Sequence, residues 1–397
     1  MEFTFADRIN GLKPSAIREI LKHTQDPSVI PFAAGNPAPE AFPVEAVRAF
    51  SDDILRENPY AALQYSVTEG LVSLRESVRE YLVGRGILAK DSTDAVLITS
   101  GAQQAMGLAA KVLVNEGDVV VCEDPSFIGS LNSFRSLGAR LVGVPVEADG
   151  MDTDALEQVL ATTERVKFIY TIPNFQNPTG VTMSAEKRRR LFEVAQRYGV
   201  PVIEDDPYGE LRFSGETRPA IKSLDTDGGV MYVGSFSKIL APGVRVGYAV
   251  GAPALIAKMT VAKQGEDVHT TVWSQMLCDR LLRDASFPAH LDMLRTVYAD
   301  RAAVMAAAVE KYLAPRGVKY YPVEGGLFMW CMLPEGIDML TFCRRAVEEK
   351  RVAVVPGTAF LPQTDGESRA FRINFSTPAV GVLEPGVKAL AELLDEM

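Results

Sequence analysis

Polar residues whose side chains could take part in catalysis or ligand binding follow directly after apolar, β-branched segments of this 397-residue chain. Lys238 comes after the strand-like "VMYV" and two serines, and Arg245 follows in an otherwise apolar or small stretch. Similar runs precede "DDPYGE" (Asp205–Glu210), "NFQNPTG" (Asn174–Gly180) and "SGAQQA" (Ser100–Ala105). At the carboxyl ends of parallel strands, where open sheets bind ligands, these stretches would combine an amine, a carboxylate, an amide and a phosphate-binding helix N-terminus. Taken singly, each also fits a plainer description: a surface lysine, solvent-facing carboxylates, an Asn-Pro turn or a simple helix cap.

The elements that must position these residues are visible as alternating strand and helix patterns. From about Ala95 the strand-like runs are "VLITS", "DVVVCED", "LVGVPV", "FIYTIP", "VPVIEDD", "VMYVGSF" and "VGYAVG". Helical patterns separate them, including "QQAMGLAAKVLV" and "SAEKRRRLFEVAQRYG", of which the second has a Ser cap and a terminal Gly. Near-continuous apolar strands separated by helices predict an α/β fold with a mostly parallel seven-stranded sheet.

The pattern changes after about Ser286 and predicts a smaller α+β unit. A long helical region at 290–313 precedes "VKYYPV", "LFMWCML", a helix at 339–350, "VAVVPG", "FRINFS" and a final helix. Near the start, the helical "PSAIREILKHT" is followed by the loop-like "IPFAAGNPAPEAFP". We therefore expect an N-terminal segment at 1–45, a large domain at 46–285 and a small domain at 286–397.

Composition and charge argue against several functional classes. The net charge of −10 gives no electrostatic footprint for nucleic acid, and we interpret "KRRR" at Lys187–Arg190 as a solvated helix face. No apolar run is long enough to span a membrane, and the N-terminus lacks a signal pattern, so a cytoplasmic location is expected. The four cysteines and three histidines are too widely spaced for a local metal site or a disulfide framework, and we expect no metal.

Taken together, "NPTG", "DDPY", "SFSK…PGVRVG" and a late "FR" resemble the fold-type I pyridoxal-phosphate enzymes, the aspartate aminotransferase fold. Within that family the chain is similar to the branch of 2-aminoadipate and kynurenine aminotransferases. The resemblance covers almost the whole chain. It implies pyridoxal 5'-phosphate as cofactor, amino acids and 2-oxo acids as substrates, and a homodimer with shared active sites.

The resemblance assigns the central chemistry to four residues. Lys238 would hold the aldehyde cofactor covalently and, once released, move the substrate's α-proton. Asp205 would keep the pyridine nitrogen protonated, so that the ring can accept electrons. Asn177 and Tyr208 would hydrogen-bond the ring hydroxyl. Asp206 matches no catalytic position of the family.

The resemblance assigns the cofactor phosphate to the turn that begins at Ser100 and Gly101 and to several residues around it. The other phosphate-binding residues would be Ala102, Gln103, Ser235, Ser237 and Arg245. Family members often carry a hydroxyl residue at the position of Ala102, so that contact could only use the backbone. Phe127 aligns with the aromatic residue that stacks on the ring, although an isolated Phe would otherwise be assigned to the core.

Further positions would contact the substrate or the neighbouring subunit. Arg372 in "FRINFS" matches the arginine that binds the substrate α-carboxylate. Tyr65 corresponds to a tyrosine that reaches the phosphate of the neighbouring subunit; otherwise it is a half-buried aromatic. Gly35 lies in a loop next to the substrate, where relatives have Gly-Gly and this chain has Asn36, which either alters substrate preference or is a harmless turn residue. Arg18 resembles an arginine on a mobile helix that binds acidic side chains, and its plainer description is a surface residue.

These assignments predict an aminotransferase that moves an amino group between an L-amino acid and a 2-oxo acid, with 2-oxoglutarate as the expected acceptor. A pyridoxal-phosphate lyase or decarboxylase is the alternative, because the same residues stabilise negative charge at the substrate α-carbon in either reaction. A regulator that fuses this fold to a DNA-binding winged helix is the alternative outside enzymology. The resemblance begins within the first twenty residues and argues against it.

Overall fold

In the computed structural model, residues 3–5, 9 and 26–397 are described. The predicted helix at 14–24 and its Arg18 lie outside the described residues.

The larger sheet has the seven predicted strands and one short additional strand. Its strands are β1 (Ala95–Thr99), β2 (Val119–Asp124), β3 (Arg140–Glu147), β4 (Gly150–Met151), β5 (Val166–Thr171), β6 (Val202–Asp205), β7 (Val230–Ser235) and β8 (Gly247–Gly251). They are arranged in the order β1-β8-β7-β6-β5-β2-β3-β4. Strands β3, β2, β5, β6 and β7 pair in parallel, whereas β8 is antiparallel to both neighbours and β4 pairs antiparallel with β3. The predicted mostly parallel sheet is confirmed; a two-residue strand such as β4 is too short to show a sequence pattern.

Helices pack around this sheet. They are α1 (Val44–Glu57), α2 (Pro59–Leu63), α3 (Val72–Gly84), α4 (Ala102–Leu113), α5 (Ile128–Ser136), α6 (Thr153–Thr162), α7 (Ala185–Tyr198), α8 (Pro253–Gln264) and α9 (Val272–Arg283). Helix α7 begins and ends as predicted: the Ser184 hydroxyl accepts a hydrogen bond from the Lys187 amide, and Gly199 ends the helix in the left-handed conformation.

The interpretation of "KRRR" as a solvated face is wrong at Arg188. This side chain is only 1% exposed. Its guanidinium donates hydrogen bonds to the carbonyls of Met183, Pro173 and Pro219 and to Oδ1 of Asn174. Four consecutive basic residues point in different directions around a helix, so one of them faces the sheet. Neighbouring Arg189 remains exposed.

A second, antiparallel sheet follows. Its strands are β9 (Lys319–Tyr320), β10 (Phe328–Met332), β11 (Val355–Pro356) and β12 (Ala370–Asn374), in the order β11-β12-β10-β9. The accompanying helices are α10 (Phe287–Ala308), α11 (Met339–Glu348) and α12 (Val380–Asp395). Short 3-10 or π turns occur at Pro39–Ala41, Ile221–Leu224, Pro242–Val244, Val309–Leu313, Ala314–Arg316 and Gly357–Phe360. The predicted α+β character of this part of the chain is confirmed.

One continuous hydrophobic core connects the two sheets. It extends from Leu97 and Val233 in the larger sheet to Phe371 in the smaller sheet and Leu390 on helix α12. The loop before α1 contacts the part of the chain that contains the smaller sheet, because Ile30 forms a parallel bridge with Val352, shortly before β11. Across residues 26–397, we find no helix with both the length and the apolar character that a membrane crossing requires.

Candidate active site

A cavity of about 440 Å³ lies at the carboxyl ends of β5, β6 and β7. The smaller sheet contributes Phe328 on β10 and Arg372 on β12 to its wall. The predicted site residues that line it are Gly35, Ala102, Gln103, Phe127, Asn177, Asp205, Tyr208, Ser235, Ser237, Lys238, Arg245 and Arg372. The parallel sheet therefore brings the predicted amine, carboxylate, amide and helix N-terminus to one place.

Lys238 enters the cavity from the turn after β7. Its Nζ donates a hydrogen bond to the Gly35 carbonyl at 2.9 Å. Burial, together with the positive charges of Arg372 and Arg245, lowers the pKa of Lys238 to about 8. A lysine of this kind carries a much larger fraction of uncharged amine near neutral pH than a surface lysine does. The uncharged amine is the form that can act as a nucleophile or accept a proton.

The two adjacent carboxylates of "DDPY" lie in different surroundings. Asp205, at the end of β6, is 4% exposed and lines the cavity. Its Oδ2 accepts a hydrogen bond from the Tyr170 hydroxyl at 2.8 Å, while its Oδ1 is buried without a hydrogen-bond partner among the described residues. Asp206 instead accepts hydrogen bonds from Asn174 Nδ2 at 3.0 Å and from the Tyr232 hydroxyl at 2.8 Å. Both oxygens of Asp206 are therefore used inside the protein, and one oxygen of Asp205 is available to a ligand.

Burial and, to a smaller extent, the Asp206 carboxylate raise the pKa of Asp205 to about 7, although the Tyr170 hydrogen bond acts in the opposite direction. A positively charged ring nitrogen beside Oδ1 would favour the ionised form of this carboxyl.

Arg372 is 3% exposed and held from several directions. Its guanidinium donates to Asn177 Oδ1 at 2.8 Å and to the Ala33 carbonyl at 3.0 Å, and it lies 4.1 Å from the centroid of the Phe328 ring. Burial lowers the pKa of Arg372 to about 10. A guanidinium positioned in this way presents a planar donor set that suits a carboxylate.

Asn177 and Tyr208 form the adjoining part of the wall. Asn177 Nδ2 donates to the Tyr208 hydroxyl at 3.4 Å, and burial raises the pKa of Tyr208 well above its ordinary value. The Tyr208 ring meets the Phe328 ring edge to face at 5.9 Å. Asn177 therefore connects Tyr208 to Arg372, and one contact network joins the larger sheet to the smaller one.

The end of the cavity near helix α4 has the character of an anion site. Within the described part of the chain, no side chain caps the first turn of α4, and Gly101 at the N-cap has a φ of 85°. A Cβ at Gly101 would lie 2.4 Å from Nη2 of Arg245, so a larger residue would disturb the arginine. Ser235 and Ser237 lie in the same wall, where the Ser235 hydroxyl accepts from the Ser237 amide at 3.1 Å. Free backbone N–H groups, hydroxyls and a guanidinium favour a phosphate here.

Some predicted site residues lie outside the cavity or use the side chain for hydrogen bonds within the protein. The Ser100 hydroxyl donates to Asp267 Oδ2 at 2.7 Å, and neither Ser100 nor Gly101 is among the described residues that line the cavity. The Gln103 side chain donates to the Gly129 carbonyl at 2.9 Å, which leaves its backbone for a ligand. Tyr65 lies at the surface, outside the cavity of its own chain.

The sequence did not single out every residue of the cavity. The further lining residues are Met106, Ser130, Ile172, Pro207, Pro242 and Phe328. Phe328 is the most consequential of them, because it packs against both Arg372 and Tyr208. It occurs in an apolar run typical of a core strand, and no sequence signal distinguishes it from its neighbours. Tyr170 had a weak signal, a hydroxyl near the end of an otherwise apolar strand.

Comparison with known proteins decides the family. The sequence model described as "Aminotransferase class I and II" matches residues 27–390. This chain belongs to that family. A 2-aminoadipate transaminase of Thermus thermophilus is 42% identical to this aminotransferase over 393 residues, 98% of this chain and 96% of the relative. The aromatic-amino-acid aminotransferase 1 of Thermococcus litoralis is 40% identical over 396 residues, 99% of this chain and 94% of the relative.

Solved structures agree with this result. The crystal structure of a kynurenine aminotransferase from Pyrococcus horikoshii has a TM-score of 0.95 and 39% identity, covering 99% of this chain and 97% of that one. The predicted aspartate-aminotransferase fold is thereby confirmed. The chain is a pyridoxal-phosphate-dependent aminotransferase.

The residues of the cavity fit that cofactor. The unpartnered Oδ1 of Asp205 is a buried acceptor that a protonated pyridine nitrogen can satisfy. The space that Gly101 leaves beside Arg245 and the uncapped helix α4 suits the phosphate. Lys238 provides an amine with a lowered pKa in the same cavity. The aminotransferase therefore has the donors, acceptors and nucleophile that pyridoxal phosphate requires.

Proposed function

We propose that this aminotransferase transfers the amino group of an L-amino acid, such as 2-aminoadipate or a branched-chain or aromatic amino acid, to 2-oxoglutarate. The observation that carries the proposal is the convergence of Lys238 Nζ, Asp205 Oδ1 and the Arg372 guanidinium on one cavity of about 440 Å³. Relatives named for 2-aminoadipate and for aromatic amino acids support those two classes of donor.

The proposed roles follow from the position and charge of each group. When bound, pyridoxal phosphate supplies an aldehyde that captures amines and a ring that accepts the electron pair left at the substrate α-carbon. Lys238 Nζ would hold the cofactor and, once released, would accept and return the substrate α-proton, for which a pKa of about 8 is suitable. Asp205 Oδ1 would accept a hydrogen bond from the ring nitrogen, and Arg372 would bind the substrate α-carboxylate. Asn177 and Tyr208 orient the ring hydroxyl.

The proposed acceptor requires one more positive charge. Of the described residues that line the cavity, those with a basic side chain are Lys238, Arg245 and Arg372. The proposal uses Lys238 for the proton, Arg245 for the phosphate and Arg372 for the α-carboxylate. We propose that the distal carboxylate of 2-oxoglutarate binds Arg18, and that Arg18 turns into water when an apolar donor such as leucine occupies the site.

The reaction is tested with a panel of amino donors, each assayed with and without 2-oxoglutarate. Transamination predicts stoichiometric formation of glutamate and of the donor's 2-oxo acid, and it predicts that 2-oxoglutarate reconverts the aminated cofactor to the aldehyde. Release of carbon dioxide or ammonia without consumption of 2-oxoglutarate would instead support the lyase or decarboxylase alternative.

The role of Arg18 is tested with acidic and apolar donors in parallel. Arg18→Ala should raise KM for 2-oxoglutarate and 2-aminoadipate, at a cost of about 1.5–3 kcal/mol for a lost charged hydrogen bond. The half-reaction with leucine, measured alone, serves as the control and should change little. Equal losses for acidic and apolar substrates, or no loss for either, would return Arg18 to the description of a surface residue.

We also propose that the enzyme is a homodimer in which Tyr65 reaches the neighbouring active site. Tyr60, Leu63 and Tyr65 are 79–88% exposed within one short segment, and such an apolar patch is typical of an interface. The proposed location is the cytoplasm. The four cysteines are free and buried, as is usual for proteins of reducing compartments.

A further inference from the structure

A tyrosine behind the cavity contacts the carboxylate that faces it. Tyr170 lies on β5 and is fully buried, and it is not among the described residues that line the cavity. Its hydroxyl donates to Oδ2 of Asp205 at 2.8 Å. Its ring meets the Phe134 ring edge to face at 5.3 Å, and this packing restricts where the hydroxyl can go.

The contact makes the two oxygens of Asp205 different. Oδ2 is occupied by Tyr170, whereas Oδ1 is buried without a partner among the described residues. We propose that Tyr170 is a positioning residue that turns Asp205 Oδ1 toward the pyridine nitrogen and keeps the carboxyl ionised, so that the proton stays on the ring. This inference rests on the proposed role of Asp205 as the partner of that nitrogen.

The electrostatic surroundings of Asp205 explain why one hydroxyl matters. The Asp206 carboxylate raises the pKa of Asp205, and Asp205 in turn raises the pKa of Glu123 and Tyr208. The negative charge of Asp206 therefore opposes the ionisation of Asp205. Glu123 is buried and accepts hydrogen bonds elsewhere, and burial raises its pKa to about 7. Among the side chains of residues 26–397, only that of Tyr170 donates to Asp205.

Loss of this hydrogen bond changes where the proton resides. Burial raises the pKa of Asp205 to about 7 against the opposing effect of the Tyr170 hydrogen bond. Without it the carboxylate becomes more basic and competes better with the ring nitrogen for their shared proton. A hydrogen bond to a charged group changes such an equilibrium about tenfold to a hundredfold. Tyr170→Phe should therefore move the proton from the nitrogen toward Asp205 by about that factor.

The chain offers a matched control on the neighbouring strand β7. Tyr232 is 1% exposed, and its hydroxyl donates to Oδ2 of Asp206 at 2.8 Å, the same distance as in the pair of Tyr170 and Asp205. Tyr232→Phe removes the buried hydroxyl that donates to Asp206, the residue after Asp205 in the sequence. Asp206 has no proposed contact with the cofactor. Both substitutions preserve ring shape, so the structural disturbance is similar.

The experiment is ¹⁵N NMR of the holoenzyme reconstituted with pyridoxal phosphate labelled at the ring nitrogen, at the same pH for every protein. In Tyr170→Phe the signal should move toward that of an unprotonated pyridine, and in Tyr232→Phe it should stay at the wild-type position. A site-specific fluorinated tyrosine at 170, a stronger donor, should move the proton partition in the opposite direction. It also provides a test should Tyr170→Phe fail to fold.

The outcomes separate this inference from the function on which it rests. An unchanged signal in Tyr170→Phe, or equal changes in Tyr170→Phe and Tyr232→Phe, would overturn the role of Tyr170 while leaving Asp205 and transamination intact. An unchanged signal in Asp205→Asn would show that Asp205 is not the partner of the nitrogen and would overturn both assignments. Failure of the wild-type holoenzyme to transfer amino groups would refute the proposed function itself.

Discussion

The Asp205 carboxyl should make the cofactor-free protein less stable at high pH than at low pH. A substitution that removes this carboxyl should reveal the effect. In the folded protein the pKa of Asp205 is raised to about 7 from the ordinary value of 3.8, chiefly by burial. Between these two values the folded state binds a proton that the unfolded chain has released. The free energy of unfolding therefore falls as the pH rises from about 4 through about 7. The difference corresponds to about 4 kcal/mol once the pH exceeds both values.

Asp205→Asn keeps the size of the side chain and abolishes its titration. At pH 8 the cofactor-free variant should be more stable than the wild type, and at pH 5 most of this advantage should disappear. The new amide adds an offset to the free energy of unfolding that does not depend on pH, so the decisive quantity is the change with pH in the stability difference between the two proteins. We expect that difference to grow by about 3 kcal/mol from pH 5 to pH 8. Urea denaturation at one fixed protein concentration measures it.

The adjacent carboxylate provides the control. Asp206 accepts two internal hydrogen bonds, so Asp206→Asn should lower the free energy of unfolding by about 1–3 kcal/mol at both pH values. With cofactor the ranking should reverse for activity: Asp205→Asn should lose about two to four powers of ten in rate and Asp206→Asn much less. A stability difference for Asp205→Asn that is constant with pH, or that shrinks as the pH rises, would refute the reasoning.

Three further predictions concern the covalent link, the assembly and a buried cation. Lys238→Ala should abolish turnover and the visible absorbance of the covalently held cofactor, and a remaining borohydride-reducible adduct would contradict this. In the wild type, the rate at which the protein captures the cofactor should rise as the pH passes through about 8, because the Lys238 amine loses its proton there. Sedimentation should show a dimer, and mixing inactive Tyr65→Ala with inactive Lys238→Ala should partly restore activity through hybrid sites, whereas a fully active monomer would exclude shared sites. Arg188→Met should lower the free energy of unfolding by about 3–5 kcal/mol, because it leaves buried acceptors without their donor. Substitution of the exposed neighbour, Arg189→Met, should change that free energy little. Comparable unfolding curves for the two variants would contradict the structural role of Arg188.

The sequence was most informative where chemistry and strand position coincide. Lys238, Asp205 and Asn177 were singled out because each follows an apolar run, and all three line the cavity at the carboxyl ends of the parallel strands. The ends of helix α7 were equally predictable, because capping by Ser184 and Gly199 depends on local backbone chemistry. Their catalytic roles stay predictions until the variants are measured.

Other features depend on contacts that no local pattern encodes. Which member of "KRRR" faces inward is fixed by the way α7 packs on the sheet, so the burial of Arg188 could not be read from spacing. Phe328 reaches Arg372 because β10 and β12 pair in a particular register, with Phe328 opposite Asn374. The hydrogen bond from Tyr170 to Asp205 likewise needs β5 and β6 side by side.

The hydrogen bonds around the cavity separate two kinds of residue, those with an unpartnered polar atom and those whose polar atoms are all bonded within the protein. Asp205 Oδ1 and Arg372 Nε are buried and lack hydrogen-bond partners among the described residues. Such groups cost stability, and use by a ligand or a reaction is a physical reason to retain the two that face the cavity. The groups around them are fully engaged: Glu123 accepts from Thr171, Ile172 and Gln176, and Gln176 in turn accepts from Thr179 in the loop that carries Asn177. Substitutions in this supporting layer should therefore lower stability first and activity second, whereas substitutions of the unpartnered groups should lower activity without a comparable loss of stability.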